Sequence, residues 1–202
     1  MKTLLLDDKI IAYSYEFEPK YSKEDILVAA ERIISKMPYI KSDGYFFMET
    51  PKEFEDIYDF CKNICIELCK SNGIFFDIST LHKWVTIMRN IPRQPIQFDF
   101  DNNEPTYHNH YLMALNGGKQ IPTYSFVYYL QMPDNISDID GHILFKNENN
   151  NVLKYLPKEN EILIFESNVS HAPIPAKNST KNRVVLAADF IISNQSKDKS
   201  II

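Results

Sequence analysis

Long apolar runs are missing from this 202-residue chain. A helix needs about 20 consecutive, mostly apolar residues to span a bilayer, and no stretch approaches that. The opening Met1-Lys2-Thr3-Leu4-Leu5-Leu6 turns acidic at Asp7-Asp8, too soon for the apolar core of a secretory leader. A first strand in a cytoplasmic protein is therefore expected. A basic block is missing too. The 22 Lys and Arg are outnumbered by 27 Asp and Glu, for a formal charge of −5, which argues against a broad electrostatic footprint on nucleic acid. Glycine is scarce at 5 residues, whereas 12 Tyr and 13 Phe are present. Such a chain is neither disordered nor low in complexity, and it can bury a real core. No internal repeat or linker divides it, so a single domain over residues 1–202 is expected.

Cysteine is sparse and confined to Cys61, Cys65 and Cys69, four residues apart. Phe54, Ile57, Cys61, Ile64, Cys65 and Leu68 recur on one helical face, so these thiols read as small core residues in a reduced compartment rather than as metal ligands.

What is present changes character along the chain. In residues 1–73, Ile11, Tyr13, Tyr15 and Phe17 alternate as in a half-buried strand. Ser22 and Asp25 then start a helix whose apolar stripe is Ile26, Ala30, Ile33, Ile34 and Met37, ended by Pro38. A second helix is expected from Thr50, with Pro51 in its first turn and Glu53 completing a capping box, up to Ser71-Asn72-Gly73. Residues 74–202 read as strands broken by turns. Trp84–Arg89 and Gln94–Phe100 are expected to form a hairpin around Asn90-Ile91-Pro92. Tyr124–Gln131, His142–Lys146, Val152–Leu156, Glu161–Phe165 and Arg183–Ile192 follow, with the asparagine run 147–151 as a hairpin tip. This spacing suits a sandwich or barrel rather than βαβ units. The expected fold is mostly β (α+β): a double-stranded β-helix, or jelly-roll barrel, with N-terminal supporting helices.

Chemistry concentrates in Tyr107-His108-Asn109-His110 and, much later, in His171 and Arg183. Ligands at i and i+2 on a strand share a face, and imidazoles in a small, well-directed set suit a transition metal. Pro173 and Pro175 and a polar loop follow His171, so an antiparallel return is expected to bring Arg183 beside it. Alternation puts Tyr124 and Tyr128 on one face of their strand and Ser125 and Tyr129 on the other, without saying which faces inward. His142 reads as structural or substrate-facing, His82 as surface or packing, and Arg89 and Arg93 as solvated residues flanking a turn.

The ordered set His108-Asn109-His110, Tyr124–Leu130, Gly141–Phe145, Leu156–Ser167, His171 and Arg183 resembles the Fe(II)- and 2-oxoglutarate-dependent oxygenases. The likeness is to the prolyl-4-hydroxylase-like group and the small phage-type oxygenases in particular. It covers the second half of the chain; the first part matches only as helical support. The resemblance implies that His108 and His171 ligate Fe(II). It further implies that Arg183 grips the far carboxylate of 2-oxoglutarate, since guanidinium pairs with carboxylate bidentately. One tyrosine among Tyr124, Tyr128 and Tyr129 is expected to donate a hydrogen bond to that group, with Tyr124 and Tyr128 taken as the candidates. It implies O2 and a peptidyl or small-molecule substrate as partners, hydroxylation of a C–H bond, and a cytoplasmic location, in the host cytoplasm if the chain is phage-encoded. One position departs from the family. His110 stands where a carboxylate ligand belongs. Either His110 is a third ligand, or two histidines hold the metal with water, or Asp138 or Asp140 folds inward to supply the carboxylate. A cupin-like three-histidine dioxygenase that does not use 2-oxoglutarate, and a non-enzymatic jelly-roll module, remain alternatives. The segment from Asn116-Gly117-Gly118 to Pro122 reads as a surface loop or a lid.

Overall fold

The computed structural model describes residues 1–36, 44–71, 76–88, 98–99, 104–110, 123–136, 138–176 and 178–194. In chain order the elements are β1 (Lys2–Leu6), β2 (Lys9–Glu16), α1 (Lys23–Ser35), β3 (Gly44–Phe46), a 3-10 turn at Lys52–Phe54, α2 (Glu55–Ser71) and β4 (Phe76–Met88). They continue with β5 (Phe98–Asp99), β6 (Glu104–Pro105), β7 (Thr123–Gln131), β8 (Ile143–Lys146), β9 (Val152–Tyr155), β10 (Glu161–Glu166), β11 (Ser170–Pro173) and β12 (Arg183–Asn194).

The strands form a 7-stranded sheet in the order β1-β2-β10-β7-β12-β4-β3 and a 3-stranded sheet in the order β11-β8-β9, with β5 and β6 as a separate small pair. Every pairing is antiparallel. The mostly β jelly-roll expectation holds. The N-terminal segment contributes more than support, because β1, β2 and β3 extend both edges of the large sheet.

Strand alternation separates two cores. On the outer face of the large sheet, Phe126, Tyr128, Ile162, Ile164, Leu186 and Phe190 pack against α1 and α2. On the inner face, Val127, Tyr129, Leu163, Phe165, Val185 and Ala187 meet Ile143 and Phe145 of the small sheet. Burying one such large apolar side chain contributes roughly 1.5–3 kcal/mol, so parity along β7, β10 and β12 fixes which residues can reach the barrel interior.

The helices follow from their caps and stripes. Ser22 Oγ accepts from the Asp25 N–H at 3.2 Å, capping α1 as expected. The second helix differs at its start. Residues 52–54 take a 3-10 turn without a side-chain cap, and α2 proper begins at Glu55. Glu53 is instead drawn to Arg32 of α1, 3.2 Å away. Cys61, Cys65 and Cys69 are free thiols buried in the helix–sheet core. Burial pushes the Cys61 and Cys65 thiols well above their ordinary range, which leaves them without nucleophilic character.

Two strand expectations need correction. No hairpin joins Trp84–Arg89 to Gln94–Phe100: both edges of β4 are taken by β12 and β3, and Phe98–Asp99 pairs with Glu104–Pro105. Residues 89–97 lie outside the described residues, as does the expected lid at 116–122. Nor is Arg183 returned beside His171 as a hairpin neighbour. β11 belongs to the small sheet and β12 to the large one, so the two side chains approach from opposite walls. The asparagine tip forms as expected, with the Asn147 N–H donating to the Asn151 carbonyl at 3.1 Å and both side-chain amides donating to Asp7 at 2.6 Å. Among the described residues, no helix is long and apolar enough to cross a membrane.

Candidate metal centre

β10 runs in the large sheet as far as Glu166. A turn closed by the Val169 N–H donating to the Glu166 carbonyl at 2.9 Å then switches the chain into β11 of the small sheet. The segment carrying His108 pairs with the free edge of β11: His108 N–H donates to the His171 carbonyl at 2.9 Å, and His171 N–H donates back to His108 at 2.8 Å. Two residues on, His110 N–H donates to the Ser167 carbonyl at 2.8 Å. The backbone ladder thereby puts the i, i+2 pair opposite the distal histidine.

The result is a cluster of three imidazoles. One ring nitrogen from each of His108, His110 and His171 lies within 4.8 Å of those of the other two. Ring centroids stand 4.4 Å apart for His108–His171, 5.1 Å for His110–His171 and 5.4 Å for His108–His110. Two rings have Nδ1 occupied. His171 Nδ1 lies 2.9 Å from the Val169 carbonyl, and His110 Nδ1 lies 2.9 Å from Asp189 Oδ1. The His108 ring is bonded to the Thr106 backbone. A ring that donates through one nitrogen presents the lone pair of the other, the arrangement of metal-bound histidine. Burial, reinforced by the neighbouring histidines, holds His171 well below the ordinary imidazole range and lowers His108 to about 4. Both are therefore neutral near pH 7, the form that binds a metal. The donor set fits a divalent transition ion such as Fe(II).

The expected carboxylate alternatives do not join this cluster. Asp138 is exposed and Asp140 is buried in the β7–β8 connection, and neither belongs to the group of converging ligand atoms. Asp189 is the carboxylate that sequence reading overlooked. It is buried on β12 and stands behind His110 rather than among the ligand atoms. Parity was the available signal, since Arg183, Val185, Ala187 and Asp189 share a face and Asp189 interrupts an otherwise apolar run.

Arg183 enters from the opposite wall. It is 3% exposed, its Nε has no hydrogen-bond partner among the described residues, and its Nη1 donates to the His142 carbonyl at 3.4 Å. Its guanidinium carbon sits 5.1 Å from the Tyr129 ring centroid, and the buried Tyr129 hydroxyl interacts with the guanidinium, with no further hydrogen-bond partner among the described residues. Burial lowers the Arg183 pKa and lifts that of Tyr129 to about 12. Among the described residues Arg183 forms no ion pair. A buried guanidinium without an ion pair among the described residues, next to a buried phenol, has donors that a planar carboxylate can satisfy. The tyrosine assignment made from sequence is therefore corrected. Tyr124 and Tyr128 face the helix layer, where Tyr128 donates to Asn160 at 2.7 Å, and Tyr129 is the strand residue that meets Arg183. The His142 carbonyl accepts from the Ile174 N–H at 2.8 Å, and its ring Nδ1 lies 3.1 Å from the Asp140 carbonyl.

No protein-family model matches this sequence, and no curated protein does. Solved structures do. A viral collagen prolyl hydroxylase from Paramecium bursaria Chlorella virus-1 superposes with a TM-score of 0.57 at 14% identity, covering 93% of this chain and 92% of that one. A Pseudomonas putida prolyl-4-hydroxylase gives 0.62 at 12% identity, with 91% and 92% covered. The chain has the fold of these oxygenases. A non-haem α-ketoglutarate-dependent carbocyclase of nogalamycin biosynthesis shares it too, with a TM-score of 0.56 at 7% identity, covering 88% and 79%. One fold hosts many chemistries, so the reaction must be argued from the histidines and the arginine. A cavity of about 860 Å³ at the β2–β10 edge, lined by Ser14, Glu16, Tyr155, Glu159 and Glu161 among others, includes none of them.

The chain's one tryptophan, Trp84, reports on the centre. Its ring centroid is 5.1 Å from that of His110. Co(II) binding at the triad is expected to quench most of the tryptophan emission. Unchanged emission in protein shown by metal analysis to hold stoichiometric Co(II) would place the ion elsewhere.

Proposed function

We propose that this protein is an Fe(II)- and 2-oxoglutarate-dependent dioxygenase that hydroxylates a peptidyl prolyl residue or a small molecule. One observation carries the proposal: the barrel holds three imidazoles whose ligand atoms cluster and, on the large sheet, a buried guanidinium without an ion pair among the described residues. His108, His110 and His171 would hold the metal through their free ring nitrogens. Arg183, with Tyr129, would take the far carboxylate of 2-oxoglutarate and so fix the cosubstrate's orientation toward the histidines. Bound Fe(II) with 2-oxoglutarate supplies O2 activation coupled to decarboxylation. The chain's own part is to bind, orient and shield, with Phe165 and Phe145 packed at 4.8 and 6.4 Å from the His171 ring to keep the inner side apolar. Both substrate classes occur among the similar structures, which include prolyl hydroxylases and a carbocyclase of nogalamycin biosynthesis.

A second reading is favoured by His110 itself. A site of three histidines without a carboxylate ligand also suits a cupin-like dioxygenase that dispenses with 2-oxoglutarate. Calorimetric titration of 2-oxoglutarate into anaerobic, Mn(II)-loaded protein separates the two. Saturable binding in the micromolar range supports the first, and no heat at millimolar concentration supports the second. Protein that takes up no metal at all would leave a non-enzymatic jelly-roll module.

A further inference from the structure

The three candidate ligands are not equivalent. His171 and His108 lean on neutral backbone groups, whereas His110 leans on a carboxylate, Asp189, with Nδ1 and Oδ1 2.9 Å apart. Asp189 is only 4% exposed, so a charge there needs donors around it. Ser125 Oγ donates to the same Oδ1 at 2.6 Å and lies 2.8 Å from Ser167 Oγ, while His82 Nδ1 stands 3.8 Å from Oδ2. No lysine or arginine pairs with it among the described residues. Sheet register builds this arrangement: Ser125, Asp189 and His82 are direct cross-strand neighbours on β7, β12 and β4. Ser167, whose carbonyl takes the His110 backbone N–H, closes the ring of contacts.

We propose that Asp189 is a positioning residue that locks His110 as an Nε2 metal ligand and supplies, one residue behind the metal, the negative charge that a direct carboxylate ligand would have brought. The proposal rests on the metal-centre reading above. A carboxylate accepting from Nδ1–H fixes the tautomer, holds the ring plane and raises the basicity of Nε2. The cluster of ligand atoms comprises the three imidazoles without Asp189, whose Oδ1 is engaged by His110 Nδ1 at 2.9 Å. The family's carboxylate position is thus taken by a histidine–carboxylate pair assembled from two distant parts of the chain.

Asp189→Asn tests the idea, since it keeps size and an acceptor oxygen but removes the charge. Competition titration of Co(II) against a chelator, followed by visible absorption, is expected to show about a 10- to 100-fold loss of affinity, the usual effect of losing an outer-shell partner. In a His110→Ala background the same change is expected to cost less than about twofold, because the two residues then no longer act through one another. Equal losses in both backgrounds, or no loss in either, overturn the proposal. A measurement on unsubstituted protein guards against variants that do not fold. With ¹⁵N-histidine and Zn(II), His110 is expected to bind through Nε2 and to show a slowly exchanging, far-downfield Nδ1 proton. Ligation through Nδ1 overturns the proposal while leaving the metal centre intact. Unsubstituted protein that binds neither Co(II) nor Zn(II) overturns the metal-centre reading itself.

Discussion

Arg183→Met is expected to weaken 2-oxoglutarate binding about 100-fold while making the metal-free protein more stable by about 1–3 kcal/mol. Both effects come from one fact: the guanidinium is buried with Nε unpartnered and without an ion pair among the described residues. Each hydrogen bond to a charged group is worth roughly 1.5–3 kcal/mol, so losing a two-pronged grip on a carboxylate reaches two decades in affinity. In the metal-free state the same group is a liability. Taking an ion out of water costs several kcal/mol, and the stacking on Tyr129 at 5.1 Å returns only about 0.5–2 kcal/mol. Desolvation wins, and a methionine of similar reach keeps the packing. Calorimetry on the Mn(II)-loaded variant checks the first effect, and denaturant unfolding of the metal-free variant checks the second. Unaltered 2-oxoglutarate affinity would sink the assigned role of Arg183. A less stable metal-free variant would show that the contacts of the guanidinium with Tyr129 and the His142 carbonyl outweigh its desolvation.

His171→Ala is expected to reduce bound Fe(II) to background while leaving the fold in place. His171 is the most buried of the three imidazoles, and its ring lies 4.4 Å from His108 and 5.1 Å from His110. Two nitrogen ligands cannot hold what three converging ones do. The main-chain bonds of β11 to His108 and to β8 survive in alanine, so the stability change should stay near the roughly 1 kcal/mol typical of point substitutions. Metal analysis after anaerobic loading and gel filtration, alongside thermal unfolding, reads both. Full stoichiometry in the variant would refute the triad. Stability matters here because a variant that loses metal by unfolding says nothing about ligation.

Much of the architecture was legible in local pattern. Alternation in β7, β10 and β12 marked strands, Ser22 and Asp25 marked the start of α1, and the cysteine spacing marked a core-facing helix. These succeed because the side-chain period and the caps are local properties of the chain. The expected hairpin after Trp84 failed because strand pairing is not local. β4 runs from Phe76 to Met88 as one strand, and its edges are claimed by β3 and β12, remote in sequence. The choice of tyrosine failed for a related reason. Alternation separates Tyr128 from Tyr129, but only the helices packed on one face of the sheet decide which of them is turned toward Arg183.

His108, His110, His171 and Arg183 were marked out by residue type, order and the i, i+2 spacing, all properties that a chain carries before it folds. Their meeting point was not. The turn at Glu166–Val169 sends His171 to the small sheet while Arg183 starts a strand of the large one, so that they belong to different sheets instead of lying side by side on one. Asp189 shows the same division. Its parity with Arg183 can be read along the strand, but its place behind His110 comes from β7, β12 and β4 being neighbours. Periodicity is set by neighbours in the chain, whereas convergence is set by which strands share a sheet, and only the folded sheets determine that.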